Sequence, residues 1–311
     1  PRSRMEKTGR ADREYAHLIL LVKNQTGYRN LCELSTRAFT EGFYYKPRID
    51  YDLLAEPSEG LICAPACLAG DIPQLLLAGR YDDAKALALR LQGMFGEDFY
   101  IELQDHGIPE QRRILPDLQR LAQEIGAKVI ATNDVHYVRA EDAEAQDALM
   151  CVQMGRFVDE TDRMKMQGSE FYLKSVQEME QVFSFCPESL ANTVEVANKC
   201  DFDFTFGQIH LPHYDVPEGY DNEGYLRHLC ETGLQKKYPN APKEYTDRLN
   251  YELSVISSMG YTDYYLIVWD FIHYAKSQGI PVGPGRGSGA GSIAAYACDI
   301  TDVDPIKYDL L

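Results

Sequence analysis

Three short apolar runs alternating with helical stretches set the tightest limit on how this chain folds. "GLICAPAC" (60–67) carries no charged residue and reads as a buried strand. "DFYIELQ" (98–104) and "AKVIATNDVHY" (127–137) read as two more. Between the first two lies "PQLLLAGRYDDAKALALRLQGMFG" (73–96), whose apolar residues recur three and four apart, the spacing of a helical pair. Between the second and third lies "PEQRRILPDLQRLAQEIG" (109–126), an amphipathic helix with Gly126 as its stop. Strand, helix, strand, helix, strand implies a parallel sheet, open or closed into a barrel, and therefore an α/β class.

Around this centre the text is more helical. Residues 11–36 read as a helix and 42–60 as turn-rich; 141–153 and 175–199 read as charged helices. "CDFDFTFGQIHLPHYDVPEGYDNEGY" (200–225) is rich in Pro, Gly, Asp and Tyr, and this shift marks a domain boundary near 205–215. Beyond it, 222–238, 244–260 and 262–279 read as helices, the last two closed by Gly260 and Gly279. "IPVG" (280–283) reads as a short strand, and a further helix begins at about Ala290.

Between that strand and that helix, residues 283–292 hold five glycines, two serines and Arg286. A linker would run into polar text, whereas this run is wedged between apolar elements. Glycines there serve positive φ angles or close backbone approach. Several N–H groups facing one concavity make an anion nest, so the stretch reads as a phosphate cradle. It is not a Walker A loop, because no Lys-Ser/Thr follows its last glycine. "GRGSGA" (285–290) matches the dinucleotide fingerprint in form, but no βαβ unit surrounds it.

A second constellation lies in the first half. Asp134 and His136 leave the third strand two residues apart, on one face. Cys67 leaves the first strand, and His17 stands in "YAHLILLVKN". Such sites gather at C-terminal strand ends, and this donor set suits Zn²⁺, Mn²⁺ or Fe²⁺ better than Ca²⁺. Spacing alone leaves two readings open, metal ligands or ordinary buried and hydrogen-bonded side chains. Asp105 and His106 read either as partners of a ligand or as a surface loop pair. His210 and His213 read as structural, Tyr28, Tyr44 and Tyr45 as packing, and Lys46 with Arg48 as a small basic patch.

Eight cysteines are scattered with no CxxC pair, and no apolar run is long enough to span a bilayer. Both point to free thiols in a reducing cytoplasm. The net charge of −17 gives nucleic-acid binding no general support, although a local basic groove can outweigh it.

"MGYTDYYLIVWDFIHYAKSQGI" and "PVGPGRGSGAGSIAAYACDITDVDPIKYDLL" resemble the start of the palm in bacterial C-family replicative polymerases. "HLILLVKNQTGYRNL", "GFYYKPRIDYDLL", "EGLICAPACLAG", "FYIELQDHGI" and "VIATNDVHY" resemble the polymerase-and-histidinol-phosphatase (PHP) domain at the front of the same subunits. The resemblance implies an incomplete, distorted β/α barrel of PHP type (1–207), then a mostly helical segment leading into a Pol-beta-like palm (208–311). It implies that Arg286, Gly287, Ser288 and Ser292 hold the triphosphate of an incoming dNTP. His17, Cys67, Asp134 and His136 would be part of a trinuclear PHP metal site holding Zn²⁺ or Mn²⁺. Two Mg²⁺ ions would serve polymerisation through an Asp pair expected beyond Leu311, with Asp299, Asp302, Asp304 and Asp309 structural. The expected setting is an internal fragment of a cytoplasmic replicase, with primer-template DNA, the sliding clamp, other replicase subunits and a separate exonuclease subunit as partners, and no membrane. The PHP part is expected either to hydrolyse 3′ ends or to bind that exonuclease. The rivals are a stand-alone PHP-type phosphoesterase and a non-catalytic assembly module.

Overall fold

A computed structural model describes residues 3–9, 15–208 and 210–310. The chain forms two compact units, the first ending at Phe204 and the second beginning at Thr205.

The first unit starts its regular structure with strand β1 (Ile19–Val22), followed by helix α1 (Gln25–Thr40). This corrects the single helix expected over 11–36, of which 11–14 lie outside the described residues. "ILLV" is a four-residue apolar run whose periodicity fits strand or helix equally, and pairing decides it. Asn24 then opens α1, its side chain accepting the Gly27 amide at 3.0 Å. The turn-rich stretch holds one short helix, α2 (Tyr51–Ala55), capped by Asp50.

Next come β2 (Leu61–Ala64), α3 (Asp71–Leu77), α4 (Tyr81–Phe95), β3 (Tyr100–Leu103), α5 (Pro109–Ile125) and β4 (Lys128–Ala131). Gly126 ends α5 in the left-handed region at φ 67°, as its position after the last apolar turn predicts. β3 pairs parallel with β4, Leu103 opposite Ala131. β2 touches the start of β3 through a parallel bridge, Cys63 to Phe99. β1 runs antiparallel to β2, Ile19 opposite Ala64. The architecture is mixed α/β with two-stranded ladders; no closed barrel forms among the described residues. Leu53, Leu61, Leu91, Phe99, Leu103 and Leu121 fill the core on one side of these strands. The unit closes with α6 (Ala143–Met154), α7 (Val176–Val182) and α8 (Glu188–Lys199), and Asn192 on α8 donates to the Val129 carbonyl of β4 at 2.8 Å.

Lys46 and Arg48 do not form a basic patch. Arg48 is buried, and its guanidinium donates to the carbonyls of Gly42 (3.0 Å), Arg4 (3.0 Å) and Glu6 (2.9 Å). A buried cation surrounded by carbonyls serves as a strut.

The second unit contains α9 (Asn222–Lys237), α10 (Lys243–Ser258), α11 (Thr262–Ser277) and α12 (Ile293–Ala297). Leu226, Cys230 and Leu234 from α9, Leu249 and Leu253 from α10, and Ile293 and Ala297 from α12 share one core. The backbone of Gly233 on α9 lies against the Ala297 carbonyl, where a Cβ would collide. Residues 280–283 form no strand: Pro281 and Pro284 remove backbone donors. The last helix starts at Ile293 rather than near Ala290, because residues Gly287–Gly291 take a 3₁₀ turn first.

Candidate functional site

In the first unit the strand ends converge. After β2, Ala66 adopts a left-handed φ of 65° and the chain doubles back, Gly70 donating to the Cys67 carbonyl at 2.8 Å. His17 pairs with that turn, its amide on the Ala69 carbonyl at 2.9 Å. The imidazole Nδ1 of His17 then lies 3.8 Å from the Cys67 Sγ. Two residues fifty apart in sequence are thus neighbours because β1 and β2 are antiparallel partners.

After β4 the chain turns through Asp134, a non-glycine residue at φ 41°. His136 Nδ1 donates to the Asp134 carbonyl at 2.7 Å. A carbonyl only accepts, so the ring hydrogen belongs on Nδ1 and the Nε2 lone pair is left for a ligand. Burial pushes the Cys67 thiol up; the Asp134 and Glu102 carboxylates add to this against a backbone hydrogen bond at Ala69.

Glu102 was missed in the sequence. It is the third residue of β3, is 5% exposed, and accepts from Thr132 Oγ1 (2.5 Å) and Gln104 Nε2 (3.1 Å). Its other oxygen, Oε2, is buried without a hydrogen-bond partner, as is Gln104 Oε1. Burial is the main force pushing this carboxyl up, with Asp134 adding to it. The available signal was a charged residue in an otherwise apolar strand, since buried acids are rare without a task. Imidazole, thiol and carboxylate donors suit a transition metal. No group of three or more such donors converges on one point among the described residues. The structure therefore joins His17 to Cys67 and Asp134 to His136.

The second unit presents the glycine loop. Gly285 has φ 132° and Gly287 φ 53°, conformations that L side chains rarely adopt. Arg286 and Ser288 are exposed. Beside them opens a groove of about 550 Å³ lined by Tyr264, Val268, Phe271, Val282 and Thr301. Ser292 is placed differently from Arg286 and Ser288. Its hydroxyl donates to Glu252 at 2.8 Å and accepts the Ala295 amide at 3.1 Å. The Glu252 carboxylate also takes the Ala294 amide at 3.0 Å. A protein carboxylate thus sits at the start of α12, beside the stretch read as a phosphate cradle.

Three carboxylates after this loop, Asp299, Asp302 and Asp304, have separate partners. Asp299 pairs with Lys237, and Asp302 with Lys276 at 2.8 Å. Asp304 is buried, and burial raises its carboxyl; the amides of Lys307 and Ile306 with the hydroxyls of Tyr238 and Tyr245 outweigh this and hold it below the usual range. His213 Nδ1 lies 3.5 Å from Asp263.

Residues 4–106 match the PHP domain, and residues 224–311 match the bacterial DNA polymerase III alpha NTPase domain. A match to the PHP domain is therefore followed by a match to a polymerase III alpha domain in one chain. Over nearly its whole length the sequence is similar to bacterial DNA polymerase III alpha subunits. The chain is 51% identical to DNA polymerase III subunit alpha of Borreliella burgdorferi over 95% of its length, 47% to that of Treponema pallidum over 100%, and 38% to that of Thermus aquaticus over 96%. It spans only 26%, 27% and 30% of those three proteins. Among the described residues no helix is long and apolar enough to cross a membrane.

Proposed function

We propose that the chain is the PHP and early palm portion (1–207 and 208–311) of a DNA-directed DNA polymerase that replicates bacterial chromosomes in the cytoplasm. The observation that carries this is the order of the two domain matches within one continuous relationship to alpha subunits. The first unit corresponds to an incomplete, distorted β/α barrel of PHP type, and the second leads into a Pol-beta-like palm. Arg286, the Gly287 amide and Ser288 hold the triphosphate of a dNTP; Ser292 shapes the loop through Glu252. Arg286 supplies charge, and the left-handed glycines turn backbone N–H groups toward the phosphates.

In the first unit His17, Cys67, Asp134 and His136 hold Zn²⁺ or Mn²⁺, with Glu102 behind them. A metal bound there supplies Lewis acidity and an activated water for phosphodiester hydrolysis. The chain's own part is to present the His136 Nε2 lone pair, to give up the Cys67 thiol proton on binding, and to keep the Glu102 carboxylate dry. Mg²⁺ is the metal of polymerisation, and primer-template DNA, the clamp, the other replicase subunits and the exonuclease are the partners. A stand-alone PHP phosphoesterase is disfavoured by the match over 224–311.

The experiment is equilibrium binding of a fluorescent dNTP with Mg²⁺ to the 311-residue chain and to Arg286→Ala. Binding weakened about tenfold by the substitution, which is roughly 1.4 kcal/mol, supports the reading. Equal binding to both proteins, or none to either alongside hydrolysis of a simple phosphate ester, favours the phosphoesterase.

A further inference from the structure

His106 is neither a metal ligand nor a surface residue. It is 3% exposed, and both ring nitrogens have partners, Nδ1 the Gln111 amide (2.9 Å to Nε2, 3.2 Å to Oε1) and Nε2 the Asn133 carbonyl. Its backbone N–H donates to Gln111 Oε1 at 2.8 Å, which fixes the orientation of that amide. Gln111 Nε2 then donates to His106 Nδ1 at 2.9 Å. On the far side, His106 Nε2 lies 2.7 Å from the Asn133 carbonyl. An amide donor on one nitrogen and a carbonyl acceptor on the other place the ring hydrogen on Nε2.

The acceptor is what gives this meaning. The Asn133 carbonyl belongs to the peptide plane immediately before Asp134, and rotation from that plane is the φ of Asp134, which stands at 41°. A non-glycine residue at positive φ persists only where its surroundings hold it. The His106 ring also stacks on Phe171, 4.2 Å between centroids at 12°. Phe171 holds the other end of the same loop: its carbonyl accepts the His136 amide at 2.8 Å, and its ring meets the His136 ring edge-on at 5.6 Å. A single buried imidazole therefore braces both sides of Asp134-Val135-His136.

We infer that His106 is a positioning residue for the Asp134/His136 pair, setting the backbone plane before the aspartate and, through Phe171, the place of the histidine. The proposal rests on the metal reading of that pair for its purpose, but not for its geometry.

The test uses the full 311-residue chain, with amide hydrogen exchange as the first readout and Co²⁺ titration as the second. His106→Phe keeps a flat ring against Phe171 and removes both hydrogen bonds. Gln111→Met leaves His106 in place without its anchor, should the first variant fail to fold. The expected result is faster exchange confined to the amides of His136 and Tyr137, with the melting temperature of the second unit unchanged. Co²⁺ affinity should fall about 10-fold or more, with a shifted visible spectrum, as for the removal of other groups that orient metal ligands. Asp134→Ala serves as the control that abolishes binding there. Wild-type exchange at His136 in both variants would overturn the inference, as would a loss of protection spread evenly over the unit. If the wild-type chain takes no Co²⁺ while exchange still rises selectively, the positioning role stands and the metal reading falls.

Discussion

Gly285 shows how much a single backbone angle decides. Its φ of 132° is costly for any L side chain, and an added Cβ would stand 3.1 Å from Thr301 Cγ2. Gly285→Ala is expected to destabilise the second unit by about 1–3 kcal/mol. Calorimetry should show this as a lower melting temperature with the first unit unaffected. The glycine count made this loop legible in the sequence, as did the spacing of Asp134 and His136. What the sequence hid were partners supplied by remote elements. Nothing near Ser292 announces that Glu252, forty residues earlier, takes its hydroxyl. Nothing near Asp134 announces that His106 grips the preceding carbonyl. Arg48 read as surface charge because its carbonyl partners are backbone atoms, which leave no trace in residue identity.

At the scale of elements, periodicity was readable wherever an element was long. α5, α9 and α10 fall where their apolar spacing puts them, because each buries one face along its length, and α11 falls within 262–279 although only Thr262 and Leu266 of it are buried. Among the short elements, β2, β3 and β4 fall inside the runs read as strands, but two others failed. β1 was absorbed into a helix, and residues 280–283 were given a strand that has no partner. Four apolar residues carry too little pattern to choose a period, and tertiary pairing chooses for them. The packing of α8 on the β3–β4 ladder yields a pH prediction. Glu195 on α8 receives Lys128 Nζ at 2.5 Å from β4 and the Tyr100 hydroxyl at 2.9 Å from β3. Lys128, then Tyr100, hold its carboxyl down from an ordinary 4.5 to about 2. A depressed folded-state value means the contribution is fully present above pH 4.5 and is lost as pH falls toward 2. In thermal melts across that window, the wild-type protein should lose more of its melting temperature than Glu195→Gln.

At the scale of the whole molecule, each unit has its own core, and the chain between them is irregular. Residues 201–206 form no helix or strand, and Phe206 exposes 85% of its surface. Brief chymotrypsin treatment is expected to cut there first and leave two protected parts, visible by mass spectrometry. Early cleavage inside α5 or α10 would contradict the division. The net charge of −17 meets the glycine loop at this scale too. On the proposed reading, an anionic nucleotide would approach a molecule that repels it at a distance, so its binding to the chain should strengthen with added salt until local contacts are screened. Close in, Glu252 matters more than the net charge. It is an internal rival for the end of α12, tethered and always present, so free anions compete there against an occupant that never diffuses away. On the proposed reading a triphosphate would meet Arg286–Ser288 upstream of that end, its register set by a residue of the protein itself.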